Sequence, residues 1–381
     1  TKRKDYKWGS GFIRKKDAEK ELAKMVVQYS DNGKPVSEDE SLEYIYRQWL
    51  ELVVPEIYRS AQSVATAKGY VTKHVLPYFA KVAIDEITTQ DIQKFFFKLR
   101  VDKTEIENGK KVKKSVAPST ATKRKIFSII NSIFKSAKSW GYIISNPCDG
   151  VELKTPETHD VKVWSADDTM YFLNLDNVRN SIFYLPFLIL ATTGMRRSEV
   201  CGLRFGDYDG STLFLQNGLD TNLNETDLKT KSSHRRLLLM DIVTNALNEQ
   251  KIKQNTIASI LGLPPSINNY IITDEKNDVI NPSRLTKSFR KLIEENNKNN
   301  DGQLPVIRLH DLRHGFATLM LYNDVNVKIV SEMLGHAKTS TTQNIYQGAA
   351  TKIMQSNAVE KLENIFLKKG QEKGQEKEKR A

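Results

Sequence analysis

Apolar residues recur at three- and four-residue steps through most of the chain, and that spacing predicts a mainly helical protein. The first clear run is Leu42, Ile45, Tyr46, Trp49, Leu50 and Val53. A second helix is expected over 63–75, stopping near Pro77, because proline brings no amide donor. Thr88 with Asp91 three positions on has the form of a capping box, opening a helix through Phe95, Phe96 and Leu99. Residues 109–118, GKKVKKSVAP, read as a basic loop. Ser119 then stands where it can cap a helix whose stripe is Ile126, Ile129, Ile130, Ile133, Phe134 and Ala137, with Lys123, Arg124, Lys125 and Lys135 off the stripe. Asn146-Pro147 ends this bundle, and residues 150–160, GVELKTPETHD, read as a linker.

Beyond the linker, Ser165 with Asp168 forms a second capping box. A buried helix over 182–194, IFYLPFLILATTG, runs into MRRSEVCGLRFGDYD at 195–209. Short strands are expected around 213–215 and 237–240, joined through DLKTKSSHRR at 227–236 as a hairpin with lysines at its turn. Further on, HDLRHGFATLM at 310–320 puts His310 and Arg313 on one face of a helix's first turn. Leu312, Phe316, Leu319 and Met320 would hold that helix in a core. Another helix ends at the Leu334-Gly335 break, followed by His336 and a segment carrying Tyr346. A last apolar helix, with Val359, Leu362, Ile365 and Phe366, precedes a charged, near-repetitive tail expected to be disordered.

The other end of the chain is basic. Lys2, Arg3, Lys4, Lys7, Arg14, Lys15, Lys16, Lys20 and Lys24 are interleaved with Tyr6, Trp8 and Phe12. That face suits backbone phosphates, and equally a solvated charged helix. Residues 28–40 are polar and rich in turn formers, a linker. The chain starts at Thr1 in mid-motif, so further residues are expected upstream.

Composition narrows the partner. At 381 residues the chain is long enough for two or three domains, and its formal charge of +12 favours a polyanion, DNA or RNA. No apolar run approaches a membrane span, and nothing at the start reads as a signal peptide. Cys148 and Cys201 are too few for a disulfide framework or a zinc site and fit a reducing cytoplasm. No metal-ligand spacing or cofactor motif accompanies the polar residues singled out above.

Those residues match the needs of phosphodiester cleavage without a metal. Such a reaction needs cationic donors on the non-bridging oxygens, a nucleophile in line, and an acid for the departing oxygen. Arg196, in TGMRRSEV, and Arg313 fit the first task, since a guanidinium donates two parallel hydrogen bonds and keeps its charge. Tyr346 offers a phenol whose ionisation cationic neighbours would favour, and a lysine on a mobile hairpin can reach a leaving oxygen. Each has a duller role too. Arg196 can pair with Glu199, His310 can sit at a helix end, His336 can cap one, Tyr346 can pack, and Lys229 and Lys231 can be hairpin-tip charges. The weight lies in their joint occurrence and order.

That order resembles the tyrosine recombinase (phage integrase) family: TGMRRSE at 193–199, LKTKSSHR at 228–235, HDLRHGFAT at 310–318, LGH at 334–336, then Tyr346. The resemblance implies a multidomain, mainly α protein with four parts. Residues 1–40 would be the remnant of an arm-type DNA-binding domain plus linker, and 41–153 a helical, SAM-like core-binding domain. Residues 160–366 would be a mixed α/β catalytic domain with a small antiparallel sheet, and 367–381 the disordered tail. It implies a site-specific integrase, similar to those of phages and Gram-positive conjugative transposons, that works without metal, cofactor or ATP in a bacterial cytoplasm. Arg196 and Arg313 would clamp the scissile phosphate, with His310 and His336 donating hydrogen bonds or relaying protons and Glu199 buttressing them. Lys229 would be the general acid, and Tyr346 would form a 3′-phosphotyrosine. Four protomers on double-stranded DNA with core and arm-type sites would pass through a Holliday junction, helped by an excisionase and a host bending protein.

The chain departs from the family pattern in two places. Leu238 stands where the hairpin usually continues with proline, which leaves Lys229 in competition with Lys231, and Gly348 stands where a histidine is frequent. Three other readings compete: a type IB topoisomerase acting alone, a non-catalytic DNA-binding regulator, and a metal-dependent nuclease, the last disfavoured by the lack of a carboxylate pair among these residues.

Overall fold

A computed structural model describes residues 41–58, 60–107, 110–155, 162–228, 231–262, 264, 269–299 and 304–343; at 105–107, 110–111 and 231 it describes the backbone alone. The basic N-terminal segment, the helix expected after Tyr346 and the charged tail lie outside the described residues. The chain divides between Thr158 and His159 into two compact units.

In the first unit, α1 (Leu42–Leu52) starts at Ser41, whose hydroxyl accepts the N–H of Tyr44. It buries Leu42, Ile45, Tyr46 and Trp49, with Leu50 and Val53 partly covered. The short α2 (Val54–Ile57) follows, then α3 (Ala61–Tyr70). The expected stop at Pro77 is not there: α3 widens into a π turn over Val71–Val75 and resumes as α4 (Leu76–Phe79). The N–H of Leu76 reaches back five residues to the carbonyl of Val71. That wider turn gives room to the proline ring, which would otherwise press on the carbonyl four residues back.

The capping box of Thr88 and Asp91 opens α5 (Thr89–Lys98). Residues 109–118, expected as a loop, belong mostly to a β-ribbon: β1 (Val101–Glu107) runs antiparallel to β2 (Lys110–Val116), with Val101 opposite Val116 and Lys103 opposite Lys114. The ribbon is mostly charged, and Val101, Ile106, Val112 and Val116 are too sparse to alternate, so hydrophobic periodicity does not mark it. Ser119 caps α6 (Thr120–Ser139), and all six positions of its predicted stripe are buried. The isoleucines and the phenylalanine among them each contribute about 1.5–3 kcal/mol when fully buried.

The second unit opens with Trp164, whose indole N–H donates to the carbonyl of Pro305 at 2.8 Å. The Ser165–Asp168 capping box starts α7 (Ala166–Asn174), followed by α8 (Asp176–Arg179) and α9 (Tyr184–Thr193). Residues 185–190 of α9 are all buried, so it is the central helix of the unit. After it come α10 (Arg197–Gly202) and the strands β3 (Thr212–Leu215), β4 (Asn217–Leu219), β5 (Glu225–Asp227) and β6 (Arg235–Leu238). Four helices complete it: α11 (Asp241–Ile260), α12 (Pro282–Asn299), α13 (Asp311–Tyr322) and α14 (Val327–Leu334). Trp164, Phe172, Phe187 and Phe289 pack ring against ring, with centroids 5.1 to 5.7 Å apart.

Two expectations need correction here. β3 does pair with β6, Leu213 opposite Leu237, but a second hairpin of β4 and β5 sits between them, and β6 ends at Leu238. Its turn is made by the carboxylate of Asp220, which accepts the N–H groups of Asn222 and Asn224, with Leu223 at φ +64°. In α13, Leu312 and Phe316 are buried but Leu319 faces solvent, and Leu321 takes the inward position instead.

Candidate functional site

Two helices of the second unit end on glycine in the left-handed region, α9 on Gly194 (φ +63°) and α14 on Gly335 (φ +68°). Glycine is required at the first by space as well as by φ. A Cβ on Gly194 would lie 2.5 Å from Cδ1 of Phe316 on α13 and 2.8 Å from Cδ2 of Leu334 on α14. The C-termini of α9 and α14 therefore converge on the start of α13. The last carbonyls of a helix lack intrahelical partners and carry the negative end of its dipole. Arginines fill that role here.

Arg313 is buried, and its Nη1 donates to the carbonyl of Gly194 at 2.7 Å while its Nη2 donates to that of Leu334 at 2.7 Å. Arg196, at the N-cap of α10, donates from Nη2 to the next carbonyl, Gly335, at 3.4 Å. Two arginines 117 positions apart in sequence thus meet on one turn of backbone. Arg196 keeps about a third of its side chain open to solvent. Its other contacts go to Glu199, from Nη1 at 2.6 Å and from the backbone N–H at 2.8 Å. The ion pair offered by sequence as a structural role is present, and it orients the same guanidinium that would do chemistry.

Nη2 of Arg313 also lies 2.8 Å from Nε2 of His336, whose Nδ1 is 2.8 Å from Oγ1 of the buried Thr342. Arginine is always a donor, so Nε2 accepts and the ring proton on Nδ1 points at the threonine. Burial, then the charges of Arg313, Arg196 and Arg235, pushes the His336 pKa down to about 4. His310 packs edge-on against His314 with centroids 5.1 Å apart and retains a solvent-facing side. Partial burial, then His314 and Arg313, holds its pKa down to about 4 as well. Both imidazoles are neutral at physiological pH, able to accept a proton or a hydrogen bond.

Arg235 is a member of the site that motif order does not single out. Its Nη2 and Nη1 reach Glu199 at 2.9 and 3.3 Å, its Nε donates to the carbonyl of Met333 at 2.6 Å, and Nη1 also donates to that of Ser233 at 3.0 Å. A signal for it exists in the sequence. On β6 it stands two positions from the buried Leu237, hence on the same inward face, and an inward cation calls for a buried anion. Glu199 is that anion, 1% exposed. Burial alone would raise its pKa. The hydrogen bond and charge of Arg235, then the charge and backbone N–H of Arg196, outweigh this and hold it below the usual carboxylate range.

The structure brings together Arg196, Glu199, His310, Arg313 and His336. Lys229 and Tyr346 lie outside the described residues, and Lys231 begins a short 3-10 turn over Lys231–Ser233. Among the described residues no three His, Cys, Asp or Glu side chains gather as a metal site, and no helix is long and apolar enough to cross a membrane. Cys148 and Cys201 are free and buried, their thiols pushed up by burial to about 12, which makes them packing groups. Two fixed guanidiniums beside neutral imidazoles can hold the oxygens of a phosphate and handle one proton.

Comparison with known proteins gives the same direction. Residues 165–352 match the Phage integrase family, and residues 41–100 match the N-terminal SAM-like domain of phage integrases. The chain is 27% identical over 308 residues to the ICEBs1 integrase of Bacillus subtilis, covering 78% of this chain and 77% of that protein. It is 26% identical over 321 residues to a XerC-like tyrosine recombinase of Caldanaerobacter subterraneus subsp. tengcongensis, covering 79% and 76%. Among solved structures, the integrase of transposon Tn1549 in complex with a circular intermediate DNA superposes with a TM-score of 0.67 at 18% identity, covering 85% of this chain and 99% of that one. At that identity the likeness is one of fold.

Proposed function

The chain belongs to the phage integrase family of tyrosine recombinases, and from that membership we propose which of its residues carry the reaction. It is a site-specific DNA recombinase of the integrase type, an enzyme that cleaves and rejoins DNA. Arg196 and Arg313 hold the non-bridging oxygens of the scissile phosphate. Tyr346 attacks phosphorus through its phenol oxygen, the P–O5′ bond breaks, and its electron pair leaves on O5′, which takes a proton from Lys229. The phenol proton passes to His310, neutral and open to solvent, while His336 keeps Arg313 in place. The product is a 3′-phosphotyrosine that stores the bond for a second DNA end, so no ATP is required.

The observation that carries this reading is the convergence of Arg196 and Arg313 on the consecutive carbonyls of Leu334 and Gly335. It supports a two-guanidinium clamp built before DNA arrives. Residues 41–153 act as the core-binding domain, 160–366 as the catalytic domain and 1–40 as the end of an arm-type DNA-binding domain. Four protomers assemble on core and arm-type sites and exchange strands through a Holliday junction in the bacterial cytoplasm, with an excisionase and a host bending protein as partners.

The test starts from duplexes that the protein selects from a randomised library, rebuilt with a nick beside the cut so that cleavage is trapped. Peptide mapping of the covalent adduct should find Tyr346 on a 3′ phosphate, and Tyr346→Phe should give none. An adduct on another residue, or an undiminished one in Tyr346→Phe, overturns the assignment. Relaxation of supercoils by a single protomer without sequence preference points to a topoisomerase instead.

A further inference from the structure

Glu199 is a buried carboxylate with two arginine partners, and the two are not alike. Arg235 is itself buried, with 7% of its side chain exposed, and it meets both carboxylate oxygens. Arg196 is more open and meets one oxygen through its side chain. With one carboxylate and two guanidiniums, the cluster carries one net positive charge. Without Arg235, Glu199 and Arg196 would form a neutral pair, and the share of the field that this cluster adds to that of Arg313 at a phosphate beside Arg196 would largely vanish. Around Glu199 and Arg235, which are both buried, such charges act more strongly than at the surface. Arg235 also ties β6 to the α14 end through Met333, one residue before the carbonyl that Arg313 holds.

We propose that Arg235 is a positioning residue that neutralises Glu199, so that the positive charge of Arg196 remains available to the scissile phosphate. The inference rests on the placement of Arg196 at that phosphate. A salt bridge that merely stabilised the fold would be indifferent to the charge on the DNA; this one is not.

The experiment compares cleavage of the selected nicked duplex with cleavage of the same duplex carrying a methylphosphonate at the scissile position, where a methyl group replaces one charged oxygen. Arg235→Met should lose about 100-fold on the phosphodiester, the size seen when one transition-state donor is removed, and less than about threefold on the methylphosphonate. Adding Glu199→Gln to Arg235→Met restores the net charge, and should recover at least about tenfold on the phosphodiester. Equal losses on both substrates, with no recovery in the double variant, overturn the proposal and leave Arg235 a structural residue.

Should Arg235→Met not fold, as judged by thermal unfolding, Arg235→Lys decides. It keeps the charge without the fork, so cleavage within about tenfold of wild type supports the proposal and cleavage as low as Tyr346→Phe refutes it. Arg196→Met separates the two claims. If it cleaves the phosphodiester normally, the clamp reading itself is wrong; if it is inactive while Arg235→Met shows no substrate dependence, only the present inference falls.

Discussion

Replacing Gly194 by alanine tests whether the meeting of α9, α13 and α14 is as tight as its geometry says. The new Cβ would sit 2.5 Å from a ring carbon of Phe316 and 2.8 Å from a methyl of Leu334, in a cluster where Leu334 is fully buried. Holding alanine at φ +63° costs about 1–2 kcal/mol, and forcing a methyl into a packed core adds about 1–3 kcal/mol. Gly262 separates the two terms, because it has nearly the same φ, +68°, and nothing within 4 Å of its Cβ position. The packing part, about 2 kcal/mol, should lower the melting point of Gly194→Ala by about 6 °C relative to Gly262→Ala for a unit of this size. Fluorescence of Trp164, with Trp8, Trp49 and Trp140 replaced by Phe, follows the second unit alone. Below both melting points, cleavage by Gly194→Ala should fall by about 100-fold, since the carbonyl that holds Arg313 moves and small misplacements of reacting groups are costly. Melting of the two variants within about 2 °C of each other would refute the packing argument.

Three further outcomes follow from the same geometry. Glu199→Ala leaves the guanidinium of Arg235 buried without its anion and should destabilise the fold by about 3–5 kcal/mol in denaturant unfolding; a loss below about 1 kcal/mol would mean water reaches the site. His336 has a folded-state pKa of about 4 against an ordinary 6.5. The unfolded chain therefore binds more protons between those values, so stability present above pH 6.5 is lost as pH falls toward 4, and His336→Gln should flatten the slope over that window relative to wild type. In the β1–β2 ribbon, Lys103 lies opposite Lys114 and Thr104 opposite Lys113. Replacing Lys103, Lys113 and Lys114 by alanine should weaken DNA binding and reduce the log–log salt slope, by about 0.9 for each phosphate no longer neutralised, without lowering the melting point; an unchanged slope would place the ribbon away from DNA.

The helices were legible wherever a local chemical signal coincided with an apolar stripe. Thr88, Ser119 and Ser165 each begin a helix as their side chains suggest, and Gly194 and Gly335 each end one. What escaped depends on partners distant in sequence or on backbone adjustment. Pro77 is a sound stop signal locally, yet a π turn carries the helix past it. The β-ribbon has runs of charged residues where hydrophobic alternation would mark strands. The extra hairpin of β4 and β5 depends on Asp220 folding a turn onto itself. Among site residues, most have a place of their own in the motif order, whereas Arg235 closes the stretch LKTKSSHR and reads there as one more basic residue of a lysine-bearing hairpin. Only the strand register, with Leu237 buried two places on, turns it inward.

If Arg196 and Arg313 hold the scissile phosphate as proposed, the arrangement also answers how a protein keeps guanidinium groups poised before their substrate binds. A buried cation without a partner is costly, and a strong ion pair would hold it too tightly to be shared. Arg313 is held by carbonyls at the ends of two helices, partial charges weaker than a carboxylate. Arg196 does face a carboxylate, but one already engaged by Arg235. On the proposed reading, both side chains lean on the same turn of backbone, and an incoming phosphate meets an Arg196 whose carboxylate partner is shared with Arg235. Site rigidity and charge availability then come from the same contacts, so variants at Gly194, Glu199 and Arg235 should change stability and cleavage in different ratios. Gly194→Ala moves a donor, Glu199→Ala leaves a cation unbalanced, and Arg235→Met removes charge while Arg196 stays in place.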